Sequence, residues 1–141
     1  MTEAKLWLAF SMIGVLVAII AFCMIEVEDL LIEVKGEVFQ YLTTQSSVSA
    51  ILFFIIFSIV LASLASMLTV YIAPKASGSG IPELIGCLNG VRISEYLTPT
   101  VLLVKAVAVV LAIAGTLVVG KEGPLAHIGA AAAIIILFAP I

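Results

Sequence analysis

The sequence is poor in charged residues, histidine and cysteine, and each shortage excludes a class of protein. Charged residues make up 11% of the 141 residues, against about a quarter in soluble domains. No basic patch is present, so we expect no nucleic-acid partner. Cys23 and Cys87 lack metal-ligand spacing and there is one histidine, which predicts structural thiols rather than a zinc site. Without a nucleophile–base pair or a cofactor loop, an enzyme is the poorest interpretation, and we expect no cofactor.

Long apolar stretches dominate what is present. Hydrophobic residues make up 64% of the chain and the mean hydropathy is +1.36, which indicates an integral, multi-pass, all-α membrane protein. Four apolar runs follow one another, at residues 6–25, 48–72, 101–119 and 125–141. The first two are long enough to cross a bilayer, and the fourth is at the short limit. We expect the polar, acidic stretch 26–47 to face the exterior or a lumen.

Two features indicate part of a transporter fold. A short helix is predicted from Ile81 to about Leu88, ended by Asn89 and Gly90, and such helices, too short to span, are typical of transporters. The last apolar run reaches Ile141 without a polar tail. We therefore expect residues 1–141 to be the N-terminal part of a larger membrane domain.

The first glycine-framed motif is typical of a helix that starts inside a membrane. It consists of Gly78, Ser79, Gly80, Ile81, Pro82 and Glu83. A helix start offers free N–H groups and the positive end of the dipole, and both attract anions. The Ser79 hydroxyl and the N–H groups of Gly80 and Ile81 therefore form a candidate chloride site. Gly78 belongs to it as well, because glycine lets an ion approach the backbone closely. The simpler interpretation makes Ser79 an ordinary helix N-cap.

The second motif places a carboxylate at another predicted helix start. It consists of Gly120, Lys121, Glu122, Gly123 and Pro124. Pro124 suits the first helical position, so Glu122 would precede the helix as a tethered anion that competes with chloride or leaves on protonation. In the alternative interpretation, Lys121 and Glu122 lie in an interfacial loop and meet water. Glu122 follows Lys121 where a phosphate-binding loop requires Ser or Thr, so this motif is not such a loop.

Three further features of the apolar runs bear on the site. Lys105 is the only charge in the third run; it either snorkels to the interface or raises the positive potential along an anion route. His127 is interpreted as a polar helix residue rather than a proton relay. Gly129 and the alanines at 130–133 predict a close-packing face between membrane helices.

The two motifs, in this order and about forty residues apart, resemble the first two signatures of the CLC family of chloride channels and chloride/proton antiporters. The similarity extends to Leu88-Asn89-Gly90, to Lys105 and to His127-Ile128-Gly129-Ala130, and it covers about residues 71–130. The form Lys-Glu-Gly-Pro-Leu-x-His at 121–127 is similar to eukaryotic members.

The resemblance implies a fold, a transported ion and roles for two residues. Family members are homodimers of inverted repeats of tilted, broken helices, with one pore in each subunit in the bilayer. Ser79 would coordinate the central chloride and favour it over nitrate. Glu122 would be the gating glutamate, which blocks the pathway when ionised, opens it when protonated, and carries the proton in antiporters.

Parts of the family pattern are absent from residues 1–141. These are a Gly-x-Phe-x-Pro motif, a late tyrosine of the anion site and the inner proton-accepting glutamate. We therefore expect no conduction by these residues alone, and channel and antiporter both stay open. Two alternatives also stay open: a membrane protein whose helices serve only packing or partner binding, and a truncated product without independent activity.

Overall fold

The computed structural model of the chain describes residues 3–91, 93 and 95–138, and within these it contains helices and turns but no strand. The α-helices are α1 (Glu3–Gln45), α2 (Ser47–Met67), α3 (Ile81–Leu88), α4 (Pro99–Ala114) and α5 (Glu122–Phe138). A π-helical turn (Leu68–Ile72) and a 3-10 turn (Pro74–Ala76) connect α2 to α3. The predicted all-α fold is confirmed.

The first helix is much longer than the first apolar run. α1 has 43 residues, about 65 Å at 1.5 Å per residue, so it continues through the whole acidic stretch. That stretch contains no proline and one glycine, Gly36, so nothing in it interrupts a helix. Glu28 and Lys35 of this stretch are buried, so it is not a uniformly solvated segment, and the side of the membrane that it faces stays a prediction.

A one-residue hinge joins α1 to α2. Ser46 is extended, with φ −163° and ψ 128°, and the chain then runs back along α1. Phe39 contacts Phe54 edge to face and Lys35 bonds to Ser58, so the two helices are antiparallel. Residues 47–72 form a continuous helical stretch of 26 residues, long and apolar enough to cross a membrane, which agrees with the predicted span at 48–72.

Of the shorter helices, α3 ends where the sequence predicts and α4 ends earlier. α3 spans the predicted residues and stops as expected, because the N–H groups of Gly90 and Val91 close back on Cys87 and Gly86 at 3.0 Å with Gly90 at φ +90°. α4 ends at Ala114, five residues before the end of the third run. Residues 139–141 of the fourth run lie outside the described residues.

The core lies where α5 packs between α1 and α4. Ile128, Ala131 and Ala132 of α5 are fully buried, and they meet Met24 of α1 and Leu102 of α4. Small side chains let the helix backbones approach closely, so the predicted close-packing face is confirmed. Large apolar side chains remain exposed along α1 and α2, as expected for helices that face lipid, and the chain is an integral membrane protein.

Candidate anion site at two helix starts

The start of α3 depends on two glycines with left-handed backbone. Gly78 has φ +69° and Gly80 has φ +80°, a region that side chains disfavour. Gly80, rather than Ser79, is the residue at the N-cap position, so the simpler interpretation of Ser79 is wrong in its position. Ser79 Oγ still accepts the N–H of Ile81 at 3.3 Å, so this N–H, predicted to face an anion, already has a weak partner.

The start of α5 carries Glu122 as its first residue. The carbonyl of Lys121 accepts the N–H of Leu125 at 2.9 Å, which begins the helix two residues before the position predicted from Pro124. Proline has no N–H to donate, but the first turn leaves its N–H groups without partners inside the helix anyway. A Cβ at Gly120 would lie 2.8 Å from Glu122 Oε2, so the carboxylate occupies the space that a side chain there would fill.

The fold brings the two helix starts into contact. A Cβ built at Gly123 would lie 2.8 Å from the Cβ of Ser79, so the motifs touch where Gly123 has no side chain. Both line one cavity of about 600 Å³, whose walls also include Lys105 of α4. Ser79 and Glu122 are exposed to this space. The starts of two helices, a hydroxyl and a carboxylate therefore meet in one place.

Lys105 is buried rather than at an interface. It is 1% exposed, and its ammonium donates to the carbonyl of Gly78 at 3.0 Å. The snorkelling interpretation is therefore wrong. The one ion pair within the described residues joins Glu28 and Lys121, so Lys105 forms no ion pair there. Lys105 lines the cavity, and the Glu83 carboxylate is near enough to act on its charge.

A stacked histidine–tyrosine pair packs against Gly80 at the start of α3. The rings of His127 and Tyr96 stack with centroids 4.0 Å apart, and His127 Nε2 donates to the Tyr96 carbonyl at 3.0 Å. The Tyr96 hydroxyl donates to the carbonyl of Gly80. Burial, and next the carboxylate of Glu83, raises the pKa of Tyr96 to about 12, so the hydroxyl remains a donor at neutral pH. These contacts give His127 a packing role.

Sequence reasoning missed three residues around the site. Tyr96 gave no signal, because its role depends on a contact with Gly80 across 16 positions. Glu28 and Lys35 looked like members of a solvated acidic stretch. Their spacing of seven, which is two turns of one helix, was a signal that they share a face.

Metal binding has no support within the described ranges. No group of three His, Cys, Asp or Glu is close enough there to hold a metal ion. Cys23 and Cys87 are both free thiols. The chemistry of the site is therefore that of N–H groups, a hydroxyl, an ammonium and a carboxylate.

Comparisons with known proteins identify the family of the chain. The family profile described as Voltage gated chloride channel matches residues 61–139, more than half of the chain and both motifs. The chain is 35% identical to the chloride channel-like protein CLC-g of Arabidopsis thaliana over 92% of its length. It is 36% identical to chloride channel protein A of Dictyostelium discoideum over 87%, and 32% identical to the human H(+)/Cl(-) exchange transporter 7 over 90%.

The shared region is a small part of each relative. The chain covers 17%, 14% and 16% of the lengths of these three proteins. Within that part, the profile match begins in α2 and runs through α5, so it includes every wall of the cavity. The chain therefore belongs to the voltage-gated chloride channel (CLC) family.

Proposed function

We propose that this chain is the N-terminal part of a CLC membrane domain that transports chloride. The observation that carries the proposal is the meeting of two helix starts, with Ser79 and Glu122 on the wall of one cavity. Helix starts hold anions by N–H groups and dipoles rather than by full charges. An ion held in this way is bound firmly enough to enter and loosely enough to leave.

Each residue of the proposed site has a separate role in binding or releasing chloride. The Ser79 hydroxyl and the N–H of Gly80 bind chloride, and the N–H of Ile81 turns to the ion when it leaves Ser79 Oγ. Lys105, whose ammonium donates to the carbonyl of Gly78 beside Ser79, adds positive potential from a buried position. Glu122, at the first position of α5, competes with chloride for the same helix ends when ionised and withdraws when protonated. Protonation of Glu122 thus opens the route.

The relatives bear names of two kinds, chloride channel and H(+)/Cl(-) exchange transporter. Both kinds are compatible with the proposed site, since a carboxylate that gates by protonation serves passive chloride movement and proton exchange alike. The transported species are chloride and, in the exchange mode, a proton, and the protein needs no cofactor. We propose that the complete protein is a homodimer in a bilayer.

The test is chloride and proton flux from proteoliposomes that hold the CLC protein containing this chain. We compare wild type with Glu122→Gln and Glu122→Ala, and use Glu37→Gln as the matched control because Glu37 is exposed on α1. Glu122 variants are expected to conduct chloride without dependence on pH, and to lose any coupled proton movement. Ser79→Ala is expected to weaken chloride affinity by about tenfold, the effect of losing one hydrogen bond to a charge.

Four outcomes separate the interpretations. Chloride flux with coupled proton flux, lost in the Glu122 variants, assigns the exchange mode, and chloride flux without protons assigns a channel. If chloride flux through Glu122→Gln still depends on pH, Glu122 is not the gate. No chloride flux in any protein leaves the motifs as packing elements of a membrane protein that does not transport.

A further inference from the structure

Two charged side chains of α1 are buried outside the proposed anion site. Glu28 is 6% exposed and Lys35 is 5% exposed. Because they are seven residues apart, both lie on one face of the helix. This face contacts the two ends of the linker at residues 115–121, which joins α4 to α5 and leads to Glu122.

Lys35 holds the beginning of the linker. Its ammonium donates to the carbonyl of Ala114, the last residue of α4, at 3.2 Å, and to Ser58 Oγ at 2.9 Å. That hydroxyl lies 3.2 Å from Thr116 Oγ1, and the ammonium lies 4.1 Å from the centre of the Phe54 ring. A cation at a helix C-terminus is stabilised by the dipole, so Lys35 fixes where α4 ends.

Glu28 holds the end of the linker. Its Oε1 lies 2.8 Å from Nζ of Lys121, the residue directly before Glu122. A buried carboxylate that loses its cation is strongly disfavoured, so Lys121 is held close to α1. The ion pair thereby fixes the backbone from which Glu122 projects. It also offsets the positive charge next to the Glu122 carboxylate.

We propose that Glu28 is a positioning residue for Glu122, acting through its ion pair with Lys121, while Lys35 anchors the other end of the same linker. This inference rests on the proposed gating role of Glu122. The pair sets both the location of the gate and the local charge against which the gate takes up its proton. Removing one member of the pair changes that charge, whereas removing both restores it.

Other charged or titratable groups near Glu122 come from three helices. Lys105 of α4 lines the same cavity, Glu83 lies in the first turn of α3, and His127 is buried in α5 beside Gly80. All three stay unchanged in the variants of the test. A difference between variants therefore reports on the pair formed by Glu28 and Lys121.

The experiment measures the pH of half-maximal chloride flux in the same proteoliposomes for Glu28→Gln, Lys121→Gln and the double variant. Glu28→Gln leaves the Lys121 ammonium uncompensated, which favours ionised Glu122 and lowers this pH by about one unit. Lys121→Gln leaves the Glu28 carboxylate uncompensated and raises it by a similar amount. The double variant removes both charges at once, and its two glutamines can still hydrogen-bond to each other, so its pH is expected within a few tenths of a unit of wild type.

Glu33→Gln is the matched control, because Glu33 is an exposed carboxylate on the same helix, and no shift is expected. Absent shifts, shifts of the same sign, or a double variant that keeps the shift of either single variant overturn the inference while leaving Glu122 as the gate. Flux without pH dependence in wild type overturns the proposed gate and the inference with it. If Glu28→Gln does not fold, Glu28→Asp replaces it, because it keeps the charge and shortens the side chain that reaches Lys121: a shift in the pH of half-maximal flux supports the inference and no shift overturns it.

Discussion

At the scale of single residues, the geometry of the site depends on where side chains are missing. A Cβ at Gly80 would lie 2.5 Å from His127 Nδ1 and 2.8 Å from the Tyr96 hydroxyl, whereas a Cβ at Gly78 would meet nothing within 4 Å. Both glycines have positive φ, which costs other residues about 1–2 kcal/mol. Comparing substitutions at the two positions therefore separates the cost of a strained backbone from the cost of a steric clash.

Gly80→Ala should be far more damaging than Gly78→Ala. The second change incurs only the backbone cost, about 1–2 kcal/mol of the free energy of unfolding. The first adds a clash with two buried rings, and overpacking of a core costs about 1–3 kcal/mol more. Unfolding of the purified protein in mixed micelles, followed by circular dichroism, measures both losses. Equal losses of unfolding free energy would show that the Tyr96 and His127 rings move aside at little cost.

At the scale of elements, the site is a contact between the beginnings of α3 and α5. Gly123 is buried. Because it has no side chain, the backbone around Ser79 can touch α5 directly. Within the same helix, Gly129 is less constrained, because its nearest neighbour would be Val17 Cγ2 at 3.9 Å. In α5, therefore, a side chain at Gly123 would clash, whereas one at Gly129 would fit.

Gly123→Ala should separate the two helix starts and weaken chloride binding. The new methyl group would meet the Ser79 side chain at 2.8 Å, and a misplacement of about 1 Å in a preorganised site lowers affinity by one to two orders of magnitude. Gly129→Ala is the control and should bind chloride normally. Chloride titration by isothermal calorimetry on the full CLC protein measures both, and normal affinity in Gly123→Ala would remove the contact from the site.

At the scale of the whole molecule, the cavity is open as far as the described residues form it. Ser79 and Glu122 are exposed. So are large apolar side chains along α1, α2 and the π-helical turn after α2, Trp7 and Tyr71 among them. The chain covers 14–17% of three full-length relatives. An anion in this cavity would lack a shielded route through the hydrocarbon.

Residues 1–141 alone should therefore not conduct chloride. Liposomes holding this chain are expected to release chloride at the rate of empty liposomes, while those holding the complete CLC protein release it faster. The measurement is chloride efflux on a silver chloride electrode, with carbonate-resistant membrane insertion as the control that the chain is present. Efflux above that of empty liposomes would mean that the chain, alone or as an oligomer, completes a pathway.

The sequence by itself determined the features that depend on neighbours along the chain. Apolar runs predicted membrane helices, and the patterns Gly-Ile-Pro and Asn-Gly located both ends of α3, because caps and turns are set by a few adjacent residues. The two motifs and their candidate side chains, Ser79 and Glu122, were also evident in this way. Whether they bind chloride and gate it stays a prediction.

Only the tertiary structure decided which charges are buried and which segments touch. Lys105 is the only charge of its apolar run and Glu28 is one of several acidic residues in its stretch. Their partners, Gly78 and Lys121, lie 27 and 93 positions away. Such contacts depend on how α1, α4 and α5 pack, because burial removes water and makes a partner necessary. The same packing brings Gly123 against Ser79, so the site exists only in the folded chain.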